Sequence, residues 1–308
     1  MAQQLFHGLA SQARRHLDAN SSSTKRTRKV QEVYGPFQGC CVGKRSKNVD
    51  HRVESSCSYG PDTLDFLLSV ELSRDKHPLS SQSNLNALMR MLLVDWIIRV
   101  QHKGLANTSL HLAVSIIDRY CESSSPICQS KFQLVGIAAI RLAAKYEQHC
   151  HPSLKDSIDL SGNQFTSDEI INMEFKIFDS LKGRFSLPTS FLFLHILLPK
   201  EAPCHVWKRA NYLIDLALMS LELQCFEPSM VAQAVIQLAY CTFRSTLPHI
   251  QGRTGPYLQV LKVLIDLLRA GPSKTYSGQV LDAAEEKHNL SWLCIFPPFV
   301  FVGYVFYP

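Results

Sequence analysis

No two of the ten cysteines stand in a Cys-x-x-Cys spacing, which removes the common zinc and dithiol signatures. The His149-Cys150-His151 cluster has no second ligand pair at zinc spacing, so no metal is expected. There is no G-x-x-x-x-G-K-[ST] segment, no glycine-rich kinase loop and no nucleophile paired with a base in a recognisable pattern. These absences are consistent with a chain that is no enzyme and needs no cofactor. No stretch alternates with period two for long enough to build a sheet. The start offers no apolar segment with a cleavage site, since Arg14 and Arg15 follow a polar opening; secretion is not expected. Several cysteines fall in apolar helical patterns where a reduced thiol packs as a small hydrophobe. Both points place the protein in a reducing compartment, the nucleus and cytoplasm. A broad basic surface is lacking too. The net charge is +6, but residues 1–60 carry ten Lys/Arg against four Asp/Glu, leaving the remainder balanced. The folded part is thus not a nucleic-acid surface.

What is present falls into three zones. Residues 1–58 are rich in Ser, Lys, Arg and Gln and too poor in large apolar residues to offset the entropy of ordering, so they read as a disordered basic region. Residues 59–288 are a succession of helical patterns punctuated by Pro, Gly and Ser. Residues 289–308 end in an uncharged run from Leu290. At 1.5 Å per residue that run would reach roughly 28 Å, near a bilayer core, but Pro297 and Pro298 interrupt it. A tail anchor and an aberrant terminus both stay open, and a membrane is not the expected partner.

The 3.6-residue period predicts helices over about 61–72, 84–102, 107–122, 130–147, 167–182, 188–198, 205–222, 228–243, 256–269 and 276–287. Asn107, Thr108 and Ser109 offer capping oxygens before "LHLAVSIIDRY", Ser167 opens a later helix, and Gly104 and Gly183 are placed to end helices in the left-handed conformation. The fold is all-α. The segment "MRMLLVDWIIRV" is apolar on two sides: Met89, Leu92, Leu93, Trp96, Ile97 and Val100 form one stripe, Met91, Val94 and Ile98 another. Such a helix must be contacted on both faces. "LVGIAAIRLAAKY" (134–146) is rich in Gly and Ala, which lets neighbours approach closely, and reads as the centre of a bundle. Shifted by 96 residues, "LVGIAAIRLAA" overlies "MVAQAVIQLAY" with identities at Val135/Val231, Ala138/Ala234, Ile140/Ile236, Leu142/Leu238 and Ala143/Ala239. This favours two five-helix units in tandem.

Residues 59–288 resemble the cyclins, and among them the mitotic A/B types, the A type most. The segments carrying the resemblance are "NLNALMRMLLVDW", "LHLAVSIIDRY", "FQLVGIAAIRLAAKYE", "TSDEIINMEFKIFDSLKGRFSLPTSFLFL", "RTGPYLQVLKVLIDLL" and "LDAAEEKHN", in that order. The resemblance implies an amino-terminal box with a preceding short helix over 59–185 and a carboxy-terminal box over 186–288. It also implies a regulatory subunit that binds and allosterically activates a cyclin-dependent serine/threonine kinase in cell-cycle control, at G2/M or in S phase. The alternative is a degenerate cyclin-fold adaptor that activates nothing. A cyclin-fold nucleic-acid-binding factor is disfavoured by the balanced charge of the boxes.

By the same resemblance, Lys145 matches the lysine that grips kinase backbone carbonyls, Glu174 its acidic partner, and Glu147 the first of two acids after the lysine; the second is Gln148 here. Cys241 stands where Lys145 would repeat, so the two boxes are not functionally equivalent. Met89, Leu92, Leu93, Trp96 and Gln133 match the patch that docks substrates or inhibitors bearing Arg-x-Leu. Arg99 replaces an acid there and is expected to weaken or alter that docking. Asp95 matches a structural buried aspartate whose arginine partner is replaced by Gln129, so either another cation such as Arg90 or Lys131 compensates or the first box is less stable than in its relatives. An aromatic is replaced near Ser157. "RRHL" (14–17) has the core of a destruction box, and "KRTRK" (25–29) is either an import signal or a solvated tail.

Overall fold

A computed structural model of the chain describes residues 61–71, 77–101, 104–242, 255–269, 274–276, 279–281 and 283–288. The expectations for the basic amino-terminal region, "RRHL", "KRTRK" and the apolar run from 290 lie outside these residues.

Eleven α-helices are found among the described residues: α1 Pro61–Val70, α2 Ala87–Val100, α3 Asn107–Ser123, α4 Phe132–Glu147, α5 Leu154–Leu160, α6 Ser167–Ser180, α7 Ser190–Leu197, α8 Cys204–Met219, α9 Pro228–Thr242, α10 Gly255–Arg269 and α11 Ala283–His288. Two apolar cores divide them. The first is built by α2–α6 around α4, which packs against α3, α6, α2 and α5. The second is built by α7–α11 around α9, which packs against α7, α8 and α10. The two segments related by the 96-residue shift are thus the central helices of the two lobes.

Small residues explain why α4 can be central. Leu93 of α2 lies so close to Gly136 that a Cβ there would stand 2.8 Å from Leu93 Cδ1. Both stripes of α2 are covered, as its sequence requires. One faces the first core, while the helix also packs against α8 and α11 of the second lobe.

Several local expectations need correction. α5 falls in a stretch for which the period predicts no helix; it carries a capping box in which Ser153 Oγ accepts from Asp156 N and Asp156 accepts from Ser153 N. The helix expected over 276–287 is confined to Ala283–His288. Before it, Lys274–Tyr276 and Gln279–Leu281 pair antiparallel, with Thr275 opposite Val280. None of Asn107, Thr108 or Ser109 caps α3. Its N-cap is Ala106, whose N–H donates to Gln148 Oε1 at 3.1 Å, while Gln148 Nε2 donates to Gly104 O. α6 is capped by Thr166 with Glu169 rather than by Ser167. Gly104 and Gly183 do adopt positive φ, 109° and 65°. The short helix α1 precedes the first lobe in sequence but packs on the second. Leu64 and Leu67 lean on its core, and Glu71 accepts from Ser229 N and Oγ at the start of α9.

Candidate partner-binding site

Lys145 and Arg141 lie one turn apart on α4, so both side chains project toward α6. Between them sits Glu174. Lys145 Nζ is 3.0 and 2.9 Å from its two carboxylate oxygens, and Arg141 Nε donates to Oε1 at 2.8 Å. Arg141 is further held by Pro152 O at 2.6 Å and Ser157 Oγ at 3.3 Å. Near Ser157, where the resemblance implied that an aromatic is replaced, the Ser157 hydroxyl thus accepts from the Arg141 guanidinium. The carboxylate and Arg141 side chains are buried, whereas Lys145 is 38% exposed. Arg141 balances the buried charge, leaving the Lys145 ammonium anchored on one side and open to solvent on the other. In the second lobe, the position equivalent to Arg141 is Gln237, which accepts from Tyr257 Oη.

Exposed aromatic rings stand on the same two helices as Lys145 and Glu174. Tyr146, Phe175 and Phe178 are 51%, 67% and 51% exposed, and Tyr146 and Phe178 both lean on the buried ring of Phe185, with centroids 6.4 and 5.8 Å away. Sequence reading passed over these rings. The signal was available, because Phe175 and Phe178 fall off the stripe Ile170, Met173 and Ile177 that α6 buries. Glu147 is exposed at the end of α4 and hydrogen-bonded to Thr108. Gln148, next along, is spent on tying down residues 104–106.

The expected docking residues are distributed differently. Met89, Leu92, Leu93 and Gln133 are buried, Gln133 with its Nε2 lacking a protein hydrogen-bond partner, and of the five only Trp96 is partly exposed.

The buried charges of α2 also choose other partners than expected. Asp95 is paired neither with Arg90 nor with Lys131. Its Oδ2 accepts from Arg99 Nε at 3.0 Å and its Oδ1 from Ala283 N at 3.0 Å, so it caps α11. The cation one turn along the same helix thereby takes the place of the one lost at Gln129, whose side chain donates to Asn84 O. Arg90 instead makes a bidentate pair with Asp118, 2.7 and 2.8 Å, both side chains 1% exposed, and donates to Leu218 O of α8. This pair, absent from the sequence reading, joins α2 to α3 and to the second lobe.

Comparison with known proteins agrees with this architecture. Residues 62–186 match the family model of the cyclin N-terminal domain, and residues 188–275 that of the cyclin C-terminal domain. Cyclin-A1-4 of Oryza sativa subsp. japonica is 35% identical over 172 residues, covering 54% of this chain and 48% of that protein. G2/mitotic-specific cyclin-1 of Medicago sativa subsp. varia is 35% identical over 188 residues, 60% and 44% of the two chains. Cyclin-B1-5 of Oryza sativa subsp. japonica is 31% identical over 244 residues, 76% and 54%. The chain spans about half the length of the curated relatives it matches. A viral cyclin from herpesvirus saimiri shares the fold, with a TM-score of 0.53 at 18% identity over 74% of this chain and 93% of that one. With two helical lobes in the family's order, each matching its own domain, and with relatives among plant A- and B-type mitotic cyclins, the chain belongs to the cyclin family.

Proposed function

We propose that this cyclin is a regulatory subunit that binds a cyclin-dependent serine/threonine kinase and holds it active, in S phase or at G2/M. The observation that carries the reading is the Lys145 ammonium, fixed by Glu174 yet open to solvent, with exposed aromatic rings on the same two helices. The last turn of any helix leaves carbonyls without partners. An anchored ammonium beside apolar surface suits the end of a docked helix, because charge-assisted hydrogen bonds and ring burial act together. On this reading the kinase's mobile regulatory helix docks at Lys145, Glu174 and Glu147. Its rotation brings an acidic side chain to the active-site lysine, so that ATP phosphates are positioned for transfer. The cyclin performs no chemistry.

The reading takes residues 59–185 and 186–288 as the two boxes and places the protein in nucleus and cytoplasm. The mitotic names of its relatives support the cell-cycle stage. Docking of Arg-x-Leu segments at Met89, Leu92, Leu93, Trp96 and Gln133 requires side chains there to move, since four of the five are buried. Affinity purification from cell extract, followed by a histone phosphorylation assay, tests the proposal. Wild type should bring down kinase activity and Lys145→Glu should not, with unchanged circular dichroism. Activity unaltered in Lys145→Glu would dismiss the site, and no kinase with wild type would favour the adaptor.

A further inference from the structure

Asp215 of α8 is buried, and three cationic or imidazole nitrogens from two other helices converge on it. His111 Nε2 of α3, in the first lobe, lies 3.0 Å from Oδ1. His288 Nε2 lies 2.6 Å from Oδ2, and Lys287 Nζ 2.6 Å from the same oxygen in an ion pair whose angles are not those of a hydrogen bond. Lys287 and His288 end α11. The start of α11 is held by Asp95 of the first lobe, which accepts from Ala283 N while pairing with Arg99. A helix of six residues does not persist alone. This one is fixed at both ends by buried carboxylates, one from each lobe, and the described apolar residues it adds to the two cores are Ala283 and Ala284. Among its described residues, the attachment is mainly electrostatic.

His111 is the vulnerable part of this arrangement. Its ring is stacked on Phe191 with centroids 4.8 Å apart, and its Nδ1 is buried with no hydrogen-bond partner. The bond to Asp215 places the proton on Nε2, so Nδ1 carries a bare lone pair and the ring is neutral. A second proton would have to enter at Nδ1, against apolar surroundings. The titratable groups around it are Asp215 from α8, Lys287 and His288 from α11, and His195 from α7 on Phe191, centroid distance 4.3 Å. His288 in turn meets the edge of Tyr212 at 6.0 Å. Burial is the main cause that holds His111 below the ordinary imidazole value; Asp215 opposes it, and Lys287 and His288 add to it.

We propose that α11 is an acid-released latch between the lobes, closed while His111 is neutral and bonded to Asp215, and opened when His111 takes a proton from solvent onto Nδ1. The resulting imidazolium leaves its apolar stack for water. Asp215 is then open to solvent, and its ion pairs with α11 weaken as the local dielectric rises. Because the closed state takes up that proton less readily than a free imidazole, closure is favoured above about pH 6.5 and is lost below it.

Hydrogen–deuterium exchange of the full chain, corrected for the intrinsic pH dependence of exchange, tests this. Amides of 283–288 should be protected at about pH 7.5 and lose protection about tenfold per pH unit below about 6.5, while α4 stays protected. His111→Gln, which keeps a donor toward Asp215 but does not titrate, should hold α11 protected at both pH values. Asp215→Asn should expose α11 at both. Protection of α11 in wild type that persists until the whole chain unfolds, or an acid loss that is equal in His111→Gln, would overturn the latch. The wild-type measurement decides by itself should either variant fail to fold.

Discussion

At the scale of single residues, the site divides its two tasks between two cations. Glu174 is buried against Arg141 and Lys145, and Arg141 keeps it neutralised when Lys145 is removed. Lys145→Ala should therefore cost no more than about 1 kcal/mol of stability while abolishing kinase capture. Glu174→Gln strands two cations, one of them buried, and should cost about 3 kcal/mol. Urea denaturation of the two variants separates these outcomes. Buried His111 and half-buried His195 should make stability pH-dependent. His195 is held down to about 4 from 6.5, first by burial and then by nearby His111. A base that is harder to protonate when folded lets the unfolded chain bind the extra proton, so stability is fully present above 6.5 and falls as pH drops toward 4. The slope from His195 should be at most about 1.4 kcal/mol per pH unit. His195→Phe, which keeps a ring tilted against Phe191 and Trp207, should flatten the urea midpoint across that window by this amount; an unchanged slope would show that His195 titrates freely.

At the scale of elements, helix existence was readable wherever an apolar period ran for three turns. α2, α3, α4, α6, α8, α9 and α10 all come from such runs. α5 was not readable by period, since seven residues show too little of one, although Ser153 and Asp156 carry its capping signal. The paired strands 274–276 and 279–281 are three residues each and leave no alternation to detect. Caps were the least legible feature. α3 is capped from 42 residues away by Gln148, and only the packing of α4 beside α3 brings that side chain there. Gln148→Ala should cost about 1 kcal/mol, read as a shift in melting temperature, with faster exchange in the first turn of α3. The crossing of α2 and α4 is tight enough that Gly136→Ala should cost about 1–3 kcal/mol, because Leu93 must leave its rotamer to admit a methyl group. The same assay on Gly136→Ala/Leu93→Val should recover part of the loss.

At the scale of the whole molecule, the ends of the described chain cross over. α1 docks on the second lobe through Leu64, Leu67 and Glu71, and α11 reaches back to Asp95 of the first. Two buried acids sit at this seam, each following an isoleucine in a corresponding helix of its lobe: Asp118 in α3 and Asp215 in α8. Their partners differ. Asp118 takes Arg90, which extends to Leu218 O, whereas Asp215 takes His111, Lys287 and His288. Arg90→Leu leaves Asp118 buried without its cation and removes a bond across the seam. It should cost about 3–5 kcal/mol and split a single calorimetric transition into two; a lone transition at the wild-type temperature would show that the seam does not depend on it.

The sequence by itself determined the all-helical class, the tandem repeat of central helices and the pairing of Lys145 with Glu174, because periodicity, small-residue content and family pattern are written along the chain. It also showed that Asp95 had lost its expected cation. Only the tertiary structure decided which cation replaced it, that Arg90 belongs to Asp118, that Arg141 shares Glu174, and that four of five expected docking residues are enclosed. The reason is physical: a buried charge is satisfied by whichever donor the packing brings within about 3 Å, and that choice is made by helix crossings and lobe contacts between residues far apart in sequence.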